Sequence, residues 1–172
     1  MRSQIMLKIL SLTLIGSAIG LSAWLLSANF PRSRQLVIPA VFDRDQPMLT
    51  RLGPDIRIKM ENGEALILDD PVYFDLRSLP WFSRLRVTMV YRENSRLLQG
   101  IGGQVGAGWQ YDVKTPVANQ PLADGYRQAI FDFNLAEVYQ QKNVRRFAIS
   151  TKDAGADAGE IDIRKLILTL YW

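Results

Sequence analysis

Hydrophobic and polar positions fall into two regimes that meet near residue 30. From Ile9 to Phe30 (ILSLTLIGSAIGLSAWLLSANF), 22 residues carry no charge. At about 1.5 Å rise per residue the run predicts a helix of about 33 Å, enough to cross a hydrocarbon core of about 30 Å. A helix buried in a soluble core rarely runs that far without a polar face. A cleaved signal peptide is the other alternative, but its best exit, Leu26-Ser27-Ala28, has a bulky Leu where a signal peptidase prefers a small residue. The retained signal anchor is the expectation. Gly16 and Gly20 form a G-x-x-x-G face on which a second membrane helix could pack closely.

After Pro31 the period drops to two. Pro31–Thr50 reads as an exit linker in which Gln35–Ile38 can pair as a strand before Pro39. Ile56-Arg57-Ile58-Lys59-Met60, then Asn62-Gly63, then Ala65–Leu68 spell a hairpin with a two-residue turn. Val72–Leu76 is a further strand. Leu85, Val87, Met89 and Tyr91 alternate with Arg84, Arg86, Thr88 and Arg92, so one face of that strand is buried and the other wet. Arg96–Ile101 is expected to run back antiparallel after a turn at Glu93–Ser95, which would gather Arg84, Arg86, Arg92 and Arg96 in one basic patch. Further strands are expected at Trp109–Val113, Ala129–Phe133, Arg146–Ser150 and Ile161–Leu170, while Leu135–Gln141 is left open between a helical turn and a loop. The Gly100–Gly108 stretch lacks the Gly-Lys-Ser/Thr ending or the spacing of a nucleotide loop, so turns, bulges or close backbone packing account for its glycines.

Short strands with almost no helix outside the membrane segment predict an all-β fold: an antiparallel β-sandwich, jelly roll first and immunoglobulin-like second. The expected organisation is a cytoplasmic head over 1–8, a transmembrane helix over 9–30, the linker over 31–50 and an extracytoplasmic sandwich over 51–172. That order places the protein in a cell (inner) membrane as a single-pass chain with the N-terminus inside.

Composition narrows the chemistry. There is no Cys and no His, which removes histidine-based triads, thiol nucleophiles and His or Cys zinc sites. Of the 21 basic residues 19 follow residue 30, as do all 17 acidic ones, leaving that part at +2; spread this thinly they make no nucleic-acid footprint. Asp69, Asp70, Asp75 and Asp132 are the carboxylates from which a glycoside-hydrolysing pair would be drawn, but nothing in the linear order brings two of them across a cleft. No enzyme and no cofactor is expected. Asp153, Asp157 and Glu160 form a calcium candidate without the EF-hand spacing, and no metal is expected there. The binding candidates are aromatic: Trp81, Trp109 and Tyr111, with Phe82, Tyr126 and Tyr139 near strand ends.

The tail from Phe131-Asp132-Phe133-Asn134-Leu135 through Arg146-Phe147-Ala148-Ile149-Ser150 to Ile161–Leu170 resembles the closing strands of galactose-binding-like jelly rolls and carbohydrate-binding modules. The resemblance covers about 40 residues and implies sugar or protein binding without catalysis. Two functions follow as expectations: a non-catalytic accessory or scaffolding subunit of a cell-envelope assembly, or a membrane-tethered module that binds envelope or capsule glycans. The expected partners are the lipid bilayer, envelope proteins and a glycan.

Overall fold

The computed structural model describes the backbone of residues 2–29, 34–153 and 159–172, and within the N-terminal helix the side chains of 10–24. Two compact units emerge, Met1–Leu36 and Val37–Trp172. The first is the helix α1, Arg2–Asn29. Among the described residues no helix is long and apolar enough to cross a membrane; the predicted span Ile9–Phe30 extends past the described side chains at both ends.

Among the described residues twelve strands follow the helix: β1 Gln35–Pro39, β2 Ile58–Glu61, β3 Glu64–Ile67, β4 Val72–Arg77, β5 Arg84–Asn94, β6 Arg96–Gln104, β7 Tyr111–Lys114, β8 Ala118–Pro121, β9 Arg127–Asn134, β10 Gln140–Gln141, β11 Val144–Asp153 and β12 Glu160–Tyr171. They form two antiparallel sheets. Sheet A runs β2-β3-β12-β5-β9-β8, with β1 also on β12; sheet B runs β10-β11-β6-β7, with β4 also on β11. The architecture is an all-β antiparallel sandwich.

Alternation explains why the sheets face each other. Leu85, Val87, Met89 and Tyr91 of β5 are buried, as are Val72, Phe74 and Leu76 of β4, while the residues between them point outward. The two inner faces meet at Phe147, fully buried on β11: its ring stacks 5.4 Å from Phe74 and meets Phe133 of sheet A edge-on at 5.2 Å. Aromatic pairs at such spacings add about 0.5–1.5 kcal/mol each beyond their buried area. The Asn62-Gly63 turn has positive φ at both positions, 51° and 81°, which is what a two-residue hairpin matching strand twist requires.

Three expectations change. The described part of the expected linker, residues 34–50, is packed against the sandwich: Ile38, Phe42 and Leu49 are buried, Leu49 bridges to Leu76, and just beyond it Gly53 bridges to Tyr73 along the edge of β4. The strands on either side of Ser95 do not pair. β5 belongs to sheet A and β6 to sheet B, and the chain changes sheets at Ser95, whose φ is 64°. The basic patch therefore loses Arg96, which turns inward: its guanidinium binds Asp153 at 2.6 Å and donates to Gly159 O and Thr151 Oγ1. A buried cation is tolerable only with such partners. Leu135–Gln141 resolves into turns that lead into β10.

Candidate aromatic groove on sheet B

The outer face of sheet B is built around a row of small residues. Tyr73 of β4 stands opposite Ala148 of β11, Ala148 opposite Gly102 of β6, and Gly102 opposite Val113 of β7. With almost no side chain at the two central positions, rings from both margins lean over the gap. Tyr73 meets Tyr111 at 5.7 Å and Trp109 at 5.6 Å between centroids. The glycines are required rather than incidental. A methyl on Gly102 would lie 2.9 Å from Tyr111 Cβ, and one on Gly100 only 2.2 Å from the backbone oxygen of Lys114. Close packing is thus the reason for Gly100, Gly102 and Gly103, which lie in the strand part of the Gly-rich stretch, whereas Gly106 and Gly108 beyond it have nothing within 4 Å.

Trp109 sits in the β6–β7 connection, held by Val105 N–H donating to Gln110 O and Gln104 Nε2 donating to Gly108 O. Its indole is 70% exposed, an unusual state for a tryptophan already braced by a second ring. Beside it, Arg146 and Asp75 stand directly opposite each other in the β11–β4 register and form a two-pronged pair, Nε to Oδ1 at 2.7 Å and Nη2 to Oδ2 at 2.9 Å. The Arg146 guanidinium also lies 5.6 Å from the Trp109 ring centre. Its hydrogen bonds to Asp75 hold it charged, above the ordinary arginine value. Burial pushes the Tyr111 phenol up, so it remains a protonated donor, and its oxygen is buried with no hydrogen-bond partner among the described residues.

Two hollows flank the indole. One, of about 830 Å³, lies toward the 45–57 segment; the other, of about 470 Å³, lies toward the β6–β7 loop and the turn into β11. Asp75, Trp109 and Arg146 line both. The wall of the first is the edge segment fastened to β4 by Thr50 N–H to Asp75 O and by the reciprocal Gly53–Tyr73 backbone bonds.

The structure brings Trp109 and Tyr111 together and leaves Trp81 out. Trp81 is exposed elsewhere, against Phe82, which in turn touches Trp172. Phe82 and Tyr126 are buried. Tyr126 lies on sheet A beneath two guanidiniums, Arg164 at 3.7 Å and Arg92 at 4.9 Å, and donates to Glu64 Oε2 at 2.6 Å. Of the calcium candidates, Asp157 lies outside the described residues, Asp153 is engaged by Arg96, and Glu160 lies in β12; among the described residues no group of three or more potential ligands converges. Gly16 and Gly20 present faces with nothing within 4 Å. Sequence reasoning missed Tyr73, Arg146 and the pairing of Asp75 with Arg146. The available signal was their outward phase on strands whose alternate residues are apolar.

No protein-family model matches the sequence, and no curated protein matches it. Among solved structures, the chain is similar to the carbohydrate-binding module TmCBM27, described as recognising mannan, at 14% identity and a TM-score of 0.41, with 81% of this chain and 100% of that one covered. It is also similar to the enzymatically active domain of tailspike protein 4 of bacteriophage CBA120, at 13% identity and a TM-score of 0.39, over 80% of this chain. The chain spans about a fifth of that tailspike domain, 19% of its length.

Proposed function

We propose that this chain is a non-catalytic glycan-binding sandwich of jelly-roll type, tethered to the cell membrane by its N-terminal helix and displayed on the far side. The observation that carries the binding reading is the Trp109 indole, exposed while braced by Tyr73 and set beside the Asp75–Arg146 pair. A flat apolar face suits the C–H face of a sugar ring, and a carboxylate–guanidinium pair at its border supplies fixed acceptors and donors for hydroxyls. Such a site binds without needing a general acid, and the carboxylate beside the indole, Asp75, is committed to Arg146. The tether rests on the uncharged Ile9–Phe30 run.

The test is a glycan array probed with the full chain in detergent. Saturable binding that is lost in Trp109→Ala and retained in Trp81→Ala supports the reading; no binding, or binding indifferent to Trp109, overturns it. Carbonate extraction tests the tether, because release of the intact chain from washed membranes removes it.

A second reading, as an accessory or scaffolding subunit of an envelope assembly, is favoured by the open faces of Gly16 and Gly20. Close backbone approach is what small residues at that spacing permit. Co-purification of membrane proteins that is abolished by Gly16→Ile with Gly20→Ile, together with a blank glycan array, would put this reading first.

A further inference from the structure

We infer that the groove takes an internal stretch of an extended, neutral polysaccharide rather than a chain end or an acidic glycan; this deepens the glycan-binding reading and rests on it. The first observation is that the site has two openings. Hollows of about 830 and 470 Å³ share the Trp109 indole and the Asp75–Arg146 pair but have different outer walls. Each alone falls in the range of about 300–1,000 Å³ usual for a ligand site. A site for a terminal sugar is closed at one end, whereas here the shared feature is a ring 70% open to solvent, with a hollow continuing on either side. A sugar stacked on Trp109 therefore has room for its neighbours in both directions.

The second observation is charge. The larger hollow is lined by Arg51, Arg57 and Arg146 and by Asp45, Asp55 and Asp75, and the smaller adds Lys142. The arginines are already engaged: Arg51 with Asp55 at 3.0 Å, Arg146 with Asp75 at 2.7 Å, and Arg57 with Asp69 at 3.6 Å and with Pro71 O. A uronate or sulfate entering the groove would lie against the carboxylates of Asp75, Asp45 and Asp55, beside guanidiniums whose charge a carboxylate already balances. A hydroxyl has no such conflict, since it can donate to Asp75 and accept from Arg146 with the pair intact.

The test uses the full chain in detergent, titrated with neutral β-1,4-linked gluco-, manno- and xylo-oligosaccharides from disaccharide to hexasaccharide, with hexasaccharides blocked at both ends, and with polygalacturonate. Affinity is expected to rise about tenfold or more from disaccharide to hexasaccharide, to survive end-blocking, and to exceed that for polygalacturonate. Ala107→Trp, which fills the smaller hollow, is expected to bring the hexasaccharide down to the disaccharide's affinity. Tightest binding to the disaccharide, loss of binding on end-blocking, or preference for polygalacturonate overturns the inference while leaving glycan binding standing. Failure of every glycan, on this series and on the array, overturns the glycan-binding reading itself.

Discussion

Replacing Gly100 with alanine tests whether the groove depends on β7 lying hard against β6. The added methyl would sit 2.2 Å from Lys114 O, 3.0 Å from Lys114 C and 3.0 Å from Val113 Cγ1. A backbone carbonyl cannot swing away as a side-chain tip can, so β7 must retreat by about 1 Å to reach ordinary contact. Overpacking of this kind costs about 1–3 kcal/mol. Against it stands the gain from removing a glycine from a strand, about 0.5–1 kcal/mol. The clash wins, with a net loss of about 1–2 kcal/mol and a fall in Tm of about 3–8 °C for a domain of this size. Gly102→Ala should cost less, because its nearest approaches, Tyr111 Cβ at 2.9 Å and Val113 Cγ2 at 3.1 Å, fall short of ordinary contact by less. Gly106→Ala, with nothing within 4 Å, should be silent. Thermal unfolding followed by circular dichroism gives the order, and near-ultraviolet ellipticity reports the retreat of Tyr111 from Tyr73. A Gly100→Ala protein that melts with the wild type would refute the argument, as would a series in which Gly106→Ala is the most damaging.

Other outcomes follow from the same geometry. Tyr73→Ala removes two ring contacts and should lower stability by about 1–3 kcal/mol while weakening sugar binding, whereas Tyr73→Phe should keep both; denaturant midpoints and titration calorimetry separate the two effects. Burial pushes the Glu64 carboxyl up, but hydrogen bonds from Tyr126 and Arg164 outweigh it and leave it below the usual range; Asp132 is lowered by its hydrogen bonds to Arg86. Groups lowered in the folded state stabilise above the unfolded carboxylate value of about 4 and cease to do so as pH falls through the folded one, so Tm should drop between pH 5 and 3. Glu64→Gln should flatten that slope, and a Tm that rises on acidification would contradict it. Chelation by EDTA should leave Tm unchanged, because Asp153 is held by Arg96 rather than free for an ion.

How much was legible in the sequence depended on distance along the chain. The Asn62-Gly63 hairpin and the one-sided burial of β5 are local facts, written in turn chemistry and in alternation; both hold, except that the hairpin's first strand begins at Ile58, because the chain leaving Pro54 makes a 3-10 turn over Asp55–Arg57 that leaves Ile56 exposed. The sandwich followed from strand density. Arg96 went the other way because its fate is set by Ser95, a single left-handed residue that sends the chain to the other sheet, and by Asp153, far along the sequence. The groove was half legible for the same reason. Trp109 and Tyr111 announce themselves as aromatics beside a loop, but Tyr73, Asp75 and Arg146 acquire meaning only from the β4–β11 register. Trp81 carried an equal signal from composition and stands elsewhere.

β12 is hydrogen-bonded to β5 along its whole length, and its opposite edge takes β3 and β1. Ile161 pairs with Ile67, so the early hairpin finds its sheet only when a strand made much later arrives. During synthesis, therefore, sheet A stays split into the β2–β3 hairpin, the β5-β9-β8 group and a lone β1, all with bare edges, until Glu160–Tyr171 clears the ribosome, and such edges invite pairing with foreign chains. A nascent polypeptide stalled before that point would be one for chaperones to hold.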